Sequence, residues 1–163
     1  MDRLISVFLI FLALTAGCAT QQYSVSKPEE FVLGESYNVS REKALSVCKS
    51  ISEKEIVPIT APLALISQKQ IDCFGFIYAG KPRKIELVFQ DDQLDLIWIL
   101  LPSEEKAKVI NELTRLYGKP SMVIDYGTIF LQANAAYRNA PSEVLFASKR
   151  QVEVMLKLLP RAE

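Results

Sequence analysis

Hydrophobic and polar positions divide the chain into stretches of different period. Leu4 to Leu14 is an unbroken apolar run, and Ala19 to Glu30 is polar, holds Pro28 and shows no apolar period. Beyond it, Ala44, Val47, Cys48 and Ile51 fall at i, i+3, i+4 and i+7. That spacing predicts a helix from about Ser40, a capping residue type, to about Ser52. From Ile56 the period changes to two. Ile56 to Ile66 contains Pro58 and Pro62, which predicts an edge strand or irregular extended segment. Ile71 to Ala79, Lys84 to Gln90 and Leu94 to Leu101 read as strands, separated by turns at Gly80-Lys81-Pro82-Arg83 and Asp91-Asp92-Gln93.

A second helix is predicted over Glu104 to Tyr117, where Val109, Ile110, Leu113, Leu116 and Tyr117 share a face. Acidic residues stand at its start, and Gly118 followed by Pro120 ends it. Met122 to Tyr126, Ile129 to Tyr137 and Val144 to Ala147 read as further strands. Ser148-Lys149-Arg150-Gln151 has the pattern of a capping box, and Val152, Met155, Leu156 and Leu159 form the apolar face of a last helix before Pro160. The order helix, strands, helix, strands, helix predicts an α+β fold, a mostly antiparallel meander sheet with helices packed on it. It also suggests two halves of similar layout, without sequence identity between them.

The apolar run near the start is too short for the roughly 20 residues that span a bilayer core. With Arg3 before it and small residues behind it, it reads as a secretory signal peptide. Thr15-Ala16-Gly17-Cys18 resembles the lipobox of bacterial lipoproteins. That resemblance implies cleavage between Gly17 and Cys18, a diacylglycerol thioether on Cys18, and attachment to a membrane through it. Residues 1–17 are then a removed leader, 18–30 the lipidated cysteine and a tether, and 31–163 one α+β domain. Ala19, rather than aspartate, after the cysteine implies by the same analogy an outer-membrane location facing the periplasm. A flexible tether of this length spans about 20 Å, so the domain is expected to work near its own membrane.

Composition narrows the chemistry. The 19 basic and 19 acidic residues balance, so there is no basic footprint for nucleic acid. Histidine is absent, which removes Ser-His and Cys-His pairs and the commonest metal ligand. No metal, cofactor or catalytic residue is expected, and the reading is of a protein that is not an enzyme. Asp91, Asp92 and Asp95 lack the spacing and glycine of a calcium loop and read as a solvated turn. Lys81, Arg83 and Lys84 read as ordinary surface charge. With Cys18 lipidated, Cys48 and Cys73 remain, and two cysteines in an exported domain are expected to pair.

Strand alternation carries the functional expectation. If Cys73 faces the helix that holds Cys48, then Phe74, Phe76 and Tyr78 point to the opposite face. Leu94 to Leu101 is apolar on both faces, with Leu94, Leu96, Trp98 and Leu100 on one and Ile97, Ile99 and Leu101 on the other. Either another layer of the domain, such as the last helix, covers the second face, or the face binds a partner or ligand through Phe74, Phe76, Tyr78 and Trp98. In layout, the chain resembles small outer-membrane lipoproteins that assist the β-barrel assembly machinery. The expected function is a membrane-anchored, noncatalytic accessory or protein-interaction module with an envelope protein as partner. A periplasmic module for a small ligand or lipid is the alternative; a real pocket lined by Phe74, Phe76, Tyr78 or Trp98 would favour it, and a close-packed interior would remove it.

Overall fold

The computed structural model describes residues 23–158, with side chains to Lys157. Gly17 and Cys18 lie outside them. The helices are α1 (Tyr37–Val47), α2 (Lys106–Tyr117) and α3 (Lys149–Leu158). The strands are β1 (Ser50–Glu55), β2 (Gln68–Tyr78), β3 (Lys81–Gln90), β4 (Gln93–Leu100), β5 (Met122–Ile124), β6 (Gly127–Phe130), β7 (Ala135–Arg138) and β8 (Glu143–Ala147). They form one sheet in the order β1-β2-β3-β4-β8-β7-β6-β5, with every neighbouring pair antiparallel. Two four-stranded meanders thus meet along β4 and β8, and α2 links them. The fold is α+β in the expected element order.

The sheet has two unlike faces. One carries the main core, where Ala44 of α1 and Val109 and Leu113 of α2 pack with Ile85, Leu87, Ile97, Ile99, Val144 and Phe146. Val25 and Phe31 of the N-terminal segment are buried in the same layer. On the other face Val88, Leu96, Leu145 and Ala147 pack with Val152 and Met155 of α3. Val152 and Met155 thus turn part of the apolar stripe of α3 onto the sheet, while Leu156 stays 42% exposed.

Several expected boundaries move for physical reasons. Helix α1 starts after Ser36 and ends at Val47, so Cys48 stands at its C-terminal boundary in extended conformation. Ser40 is inside the helix, and its buried hydroxyl donates to Glu35 at 3.1 Å rather than capping. The next six residues, Ser-Ile-Ser-Glu-Lys-Glu, form edge strand β1 and not helix. Only Ile51 of this strand packs against the core. Residues 57–67 form a loop. Gln68 accepts hydrogen bonds from the Thr60 and Ala61 amides, Gln90 from Leu63, and Asp91 from Leu65, Ile66 and Ser67. The expected Ile129 to Tyr137 strand is broken into β6 and β7 by a 3-10 turn at Leu131–Ala133, with Asn134 at φ 49°.

Lys81, Arg83 and Lys84 belong to β3 rather than to a turn, which Ala79 and Gly80 make instead. Arg83 is buried and holds Glu105 at 2.7 Å, while Lys84 bridges Asp72 and Glu86. Asp95 does not join Asp91 and Asp92 in a solvated turn. It is fully buried on the α3 side and accepts from Ser148 and Arg150. The capping box forms by half. The Gln151 amide donates to the Ser148 hydroxyl at 3.2 Å, but the Gln151 side chain turns away to accept from Gln90 at 2.6 Å.

Candidate functional site

Two one-residue irregularities decide which side chains meet. Register along β2 and β3 shifts between Phe74 and Phe76, where Gly75 has φ +78°. The inserted residue resets alternation. Phe76 and Tyr78 therefore join Ile71 and Cys73 in the main core, each only 5% exposed. Phe74 alone points to the other face, 39% exposed with the Lys84 ammonium 5.6 Å from its ring centroid. Phe74, Phe76 and Tyr78 thus do not share a surface, contrary to the alternation reading. A second shift lies between Val88 and Phe89, opposite Leu96 and Leu94. It sends Leu94 into the main core with Ile97, while Leu96 and Trp98 stay on the α3 face.

Trp98 keeps its place in the candidate site. It lines a cleft of about 440 Å³ between α3 and strands β4 to β8, open to solvent along one side. The floor is Ile129, Ala136 and Leu145, and α3 supplies Val152, Met155 and Leu156 as one wall. At one end stand Ile124, Tyr126, Trp98 and Arg138. The cleft exists because α3 is anchored at its first turn and covers only part of the apolar face. Asp95, Ser148, Arg150, Gln90 and Gln151 form that anchor. Short strands β5, β6 and β7 extend the sheet sideways, and among the described residues α3 leaves Ile124, Ile129 and Ala136 lining the cleft.

Among the described residues, Arg138 is the one charged side chain lining the cleft. Its guanidinium lies 4.3 Å from the Trp98 ring centroid, a cation–π arrangement. It also forms an ion pair with Glu143, whose side chain is 2% exposed while that of Arg138 is 41% exposed. Burial pushes the Glu143 carboxyl above its ordinary range, against the lowering pull of Arg138. Nothing before the fold distinguishes Arg138 from other surface arginines. The one sequence signal for its position is the alternation of Ala136 and Arg138 on one face of β7 with Ala135 and Tyr137 on the other.

The remaining site residues behave as follows. Cys48 and Cys73 are joined by a disulfide, with Cα atoms 5.6 Å apart, and tie the end of α1 to β2. Among the described residues no three His, Cys, Asp or Glu side chains come together as metal ligands. Among the same residues no helix is long and apolar enough to cross a membrane. Comparisons of the chain with protein families, curated proteins and solved structures find no significant match.

Proposed function

We propose that the chain is a membrane-anchored, noncatalytic envelope lipoprotein whose domain binds a small apolar ligand in the cleft beside α3. The observation that carries this reading is the cleft itself. It is concave, falls within the roughly 300–1,000 Å³ of small-molecule sites, and combines apolar walls with few polar groups. Of the four aromatic residues named for the ligand reading, Trp98 lines the cleft and Phe74, Phe76 and Tyr78 do not. The anchor is Cys18, through the lipobox resemblance, and the outer membrane facing the periplasm is the proposed location.

Trp98 is the only tryptophan of the chain, so its emission reports on the cleft directly. Titration with a neutral environment-sensitive dye is expected to give saturable binding, with a shift of Trp98 emission. Ala136→Phe, which places a ring on the cleft floor, is expected to abolish both. Binding unchanged in that variant would remove the cleft as the site. Metabolic labelling with a fatty acid, in cells carrying the wild-type chain or Cys18→Ser, tests the anchor. No difference in label would remove it.

A second reading, a protein-interaction module, draws on the loop between β1 and β2. Val57, Leu65 and Ile66 are each more than 80% exposed there. Such apolar exposure commonly marks contact with another molecule. Crosslinking from position 66 in intact cells is the measurement, and absence of any reproducible protein adduct would sink this reading.

A further inference from the structure

Resting on the ligand reading above, we propose that the cleft takes one acyl chain of a single-chain anionic lipid, with the carboxylate or phosphate head at Arg138. Volume limits the tail. At roughly 30 Å³ per water-sized group, a cleft of about 440 Å³ holds on the order of fifteen such groups. That is about the bulk of one acyl chain. The floor and the α3 wall offer Ile129, Ala136, Leu145, Val152, Met155 and Leu156 to the tail.

The head is placed by charge. Among the described residues Arg138 alone brings charge to the lining, and Glu143 engages one of its terminal amino groups. Its Nε is buried without a hydrogen-bond partner, so only the terminal amino groups can meet a ligand, and two-fifths of the side chain remains exposed. Stacking on Trp98 and pairing with buried Glu143 fix the plane of the guanidinium, so the terminal amino group that Glu143 leaves free is already oriented. A guanidinium held in this way suits a carboxylate or phosphate oxygen.

The course of the chain agrees with this polarity. Antiparallel pairing puts the β2–β3, β5–β6 and β7–β8 turns and the end of β4 at one end of the sheet. Tyr126 and Arg138 sit beside those turns. Tyr23, the first described residue, lies at the same end, with Lys108 stacked 3.5 Å from its ring centroid and Glu105 and Arg83 nearby. Cys18 is five residues earlier, at most about 18 Å of extended chain. With Cys18 acylated as proposed, the charged end of the cleft is the membrane-proximal one, where a lipid head belongs.

The test uses the chain from residue 18 onward with Cys18→Ser, which keeps every described residue. Trp98 emission is titrated with palmitate, palmitoyl-lysophosphatidylglycerol and uncharged hexadecanol, all below their aggregation concentrations. The two anionic probes should saturate the signal at one equivalent, with hexadecanol at least tenfold weaker. Palmitate binding alone would assign the head as a carboxylate, and lysolipid binding alone as a phosphate. Octanoate should bind at least tenfold more weakly than palmitate.

Arg138→Gln should bring the anionic probes to the level of hexadecanol. Because that change strands buried Glu143, the double variant Arg138→Gln with Glu143→Gln is read beside it, with unchanged circular dichroism as control. Equal affinity for charged and uncharged probes, or full anionic preference in the double variant, overturns the head assignment and leaves the apolar-ligand reading standing. Failure of every probe and of the neutral dye overturns both.

Discussion

Gly75 stands so close to Lys49 that a Cβ built on it would lie 2.7 Å from the Lys49 Cβ. The contact lies where edge strand β1 begins, and the Lys49 amide donates to the Phe74 carbonyl at 2.8 Å beside it. Gly75 also has φ +78°, a conformation that L side chains adopt only at a cost. Gly75→Ala combines that cost with a backbone-adjacent clash and is expected to lose about 2–3 kcal/mol in urea unfolding. Gly34, at φ +91° with nothing within 4 Å of a Cβ, is the control. Gly34→Ala should lose only about 1 kcal/mol. Equal losses in the two variants would refute the close-approach argument.

The disulfide next to this bulge closes a sequence separation of 25 residues. In the chain-entropy model a loop of that size restricts the unfolded chain by about 3–4 kcal/mol. Cys48→Ser with Cys73→Ser should therefore fall in unfolding free energy by about that amount, at constant buffer. The wild-type chain should approach the variant when reductant is added. A wild-type midpoint insensitive to reductant would contradict the prediction.

The meander was legible in the sequence because Ile85, Leu87 and Phe89 alternate cleanly and Asp91-Asp92 marks the turn. Helix α2 was legible because its apolar face repeats at helical spacing and Gly118 ends it. Both bulges were missed, although a glycine and an aspartate interrupt the two strands where they occur. Each bulge adds one residue, Gly75 in β2 and Asp95 in β4, and strict alternation counted straight through them puts Phe76, Tyr78 and Leu94 on the wrong face. Edge strand β1 was missed because a strand packed through Ile51 alone has almost no period to detect. The cleft was only half visible, since Trp98 lies in an obvious strand, whereas Arg138 reaches it through the pairing of β7 with β8.

Glu105 supplies a pH prediction. Hydrogen bonds from Arg83 hold its carboxyl below the ordinary range, and Lys81 adds to the effect against the opposing burial. A carboxylate with a depressed folded pKa contributes stability that is present above its unfolded value, about 4.3, and is lost as pH falls through the folded value. Wild type should thus lose stability more steeply than Glu105→Gln as pH drops below about 4.3. At neutral pH the variant should be less stable by about 2 kcal/mol, because hydrogen bonds to the buried Arg83 weaken. Parallel pH–stability curves for the two proteins would exclude the coupling.

Asp95 is the residue on which the cleft depends without lining it. Its carboxylate is fully buried, and it accepts from Ser148 at 2.5 Å and from Arg150 at 2.8 and 2.5 Å. Its backbone carbonyl also takes the Ser148 amide at 2.8 Å. All of these partners belong to the start of α3 or to its cap, so one carboxylate holds the helix that walls the cleft. Asp95→Ala takes the carboxylate acceptor from Ser148 and Arg150, leaving Arg150 only the Gln90 carbonyl at 2.9 Å. Arg150 is 37% exposed and can rehydrate, so the cost is about 2–3 kcal/mol. The loss should be local before it is global. Amides of α3 should lose hydrogen-exchange protection while those of Ile97 and Ile99, in the main core, keep most of theirs. Arg150→Met with Asp95→Leu, which replaces both charges by apolar groups, should restore much of the α3 protection. If α3 amides stay protected in Asp95→Ala, then Val152 and Met155 hold the helix unaided, and the cleft is set by packing alone.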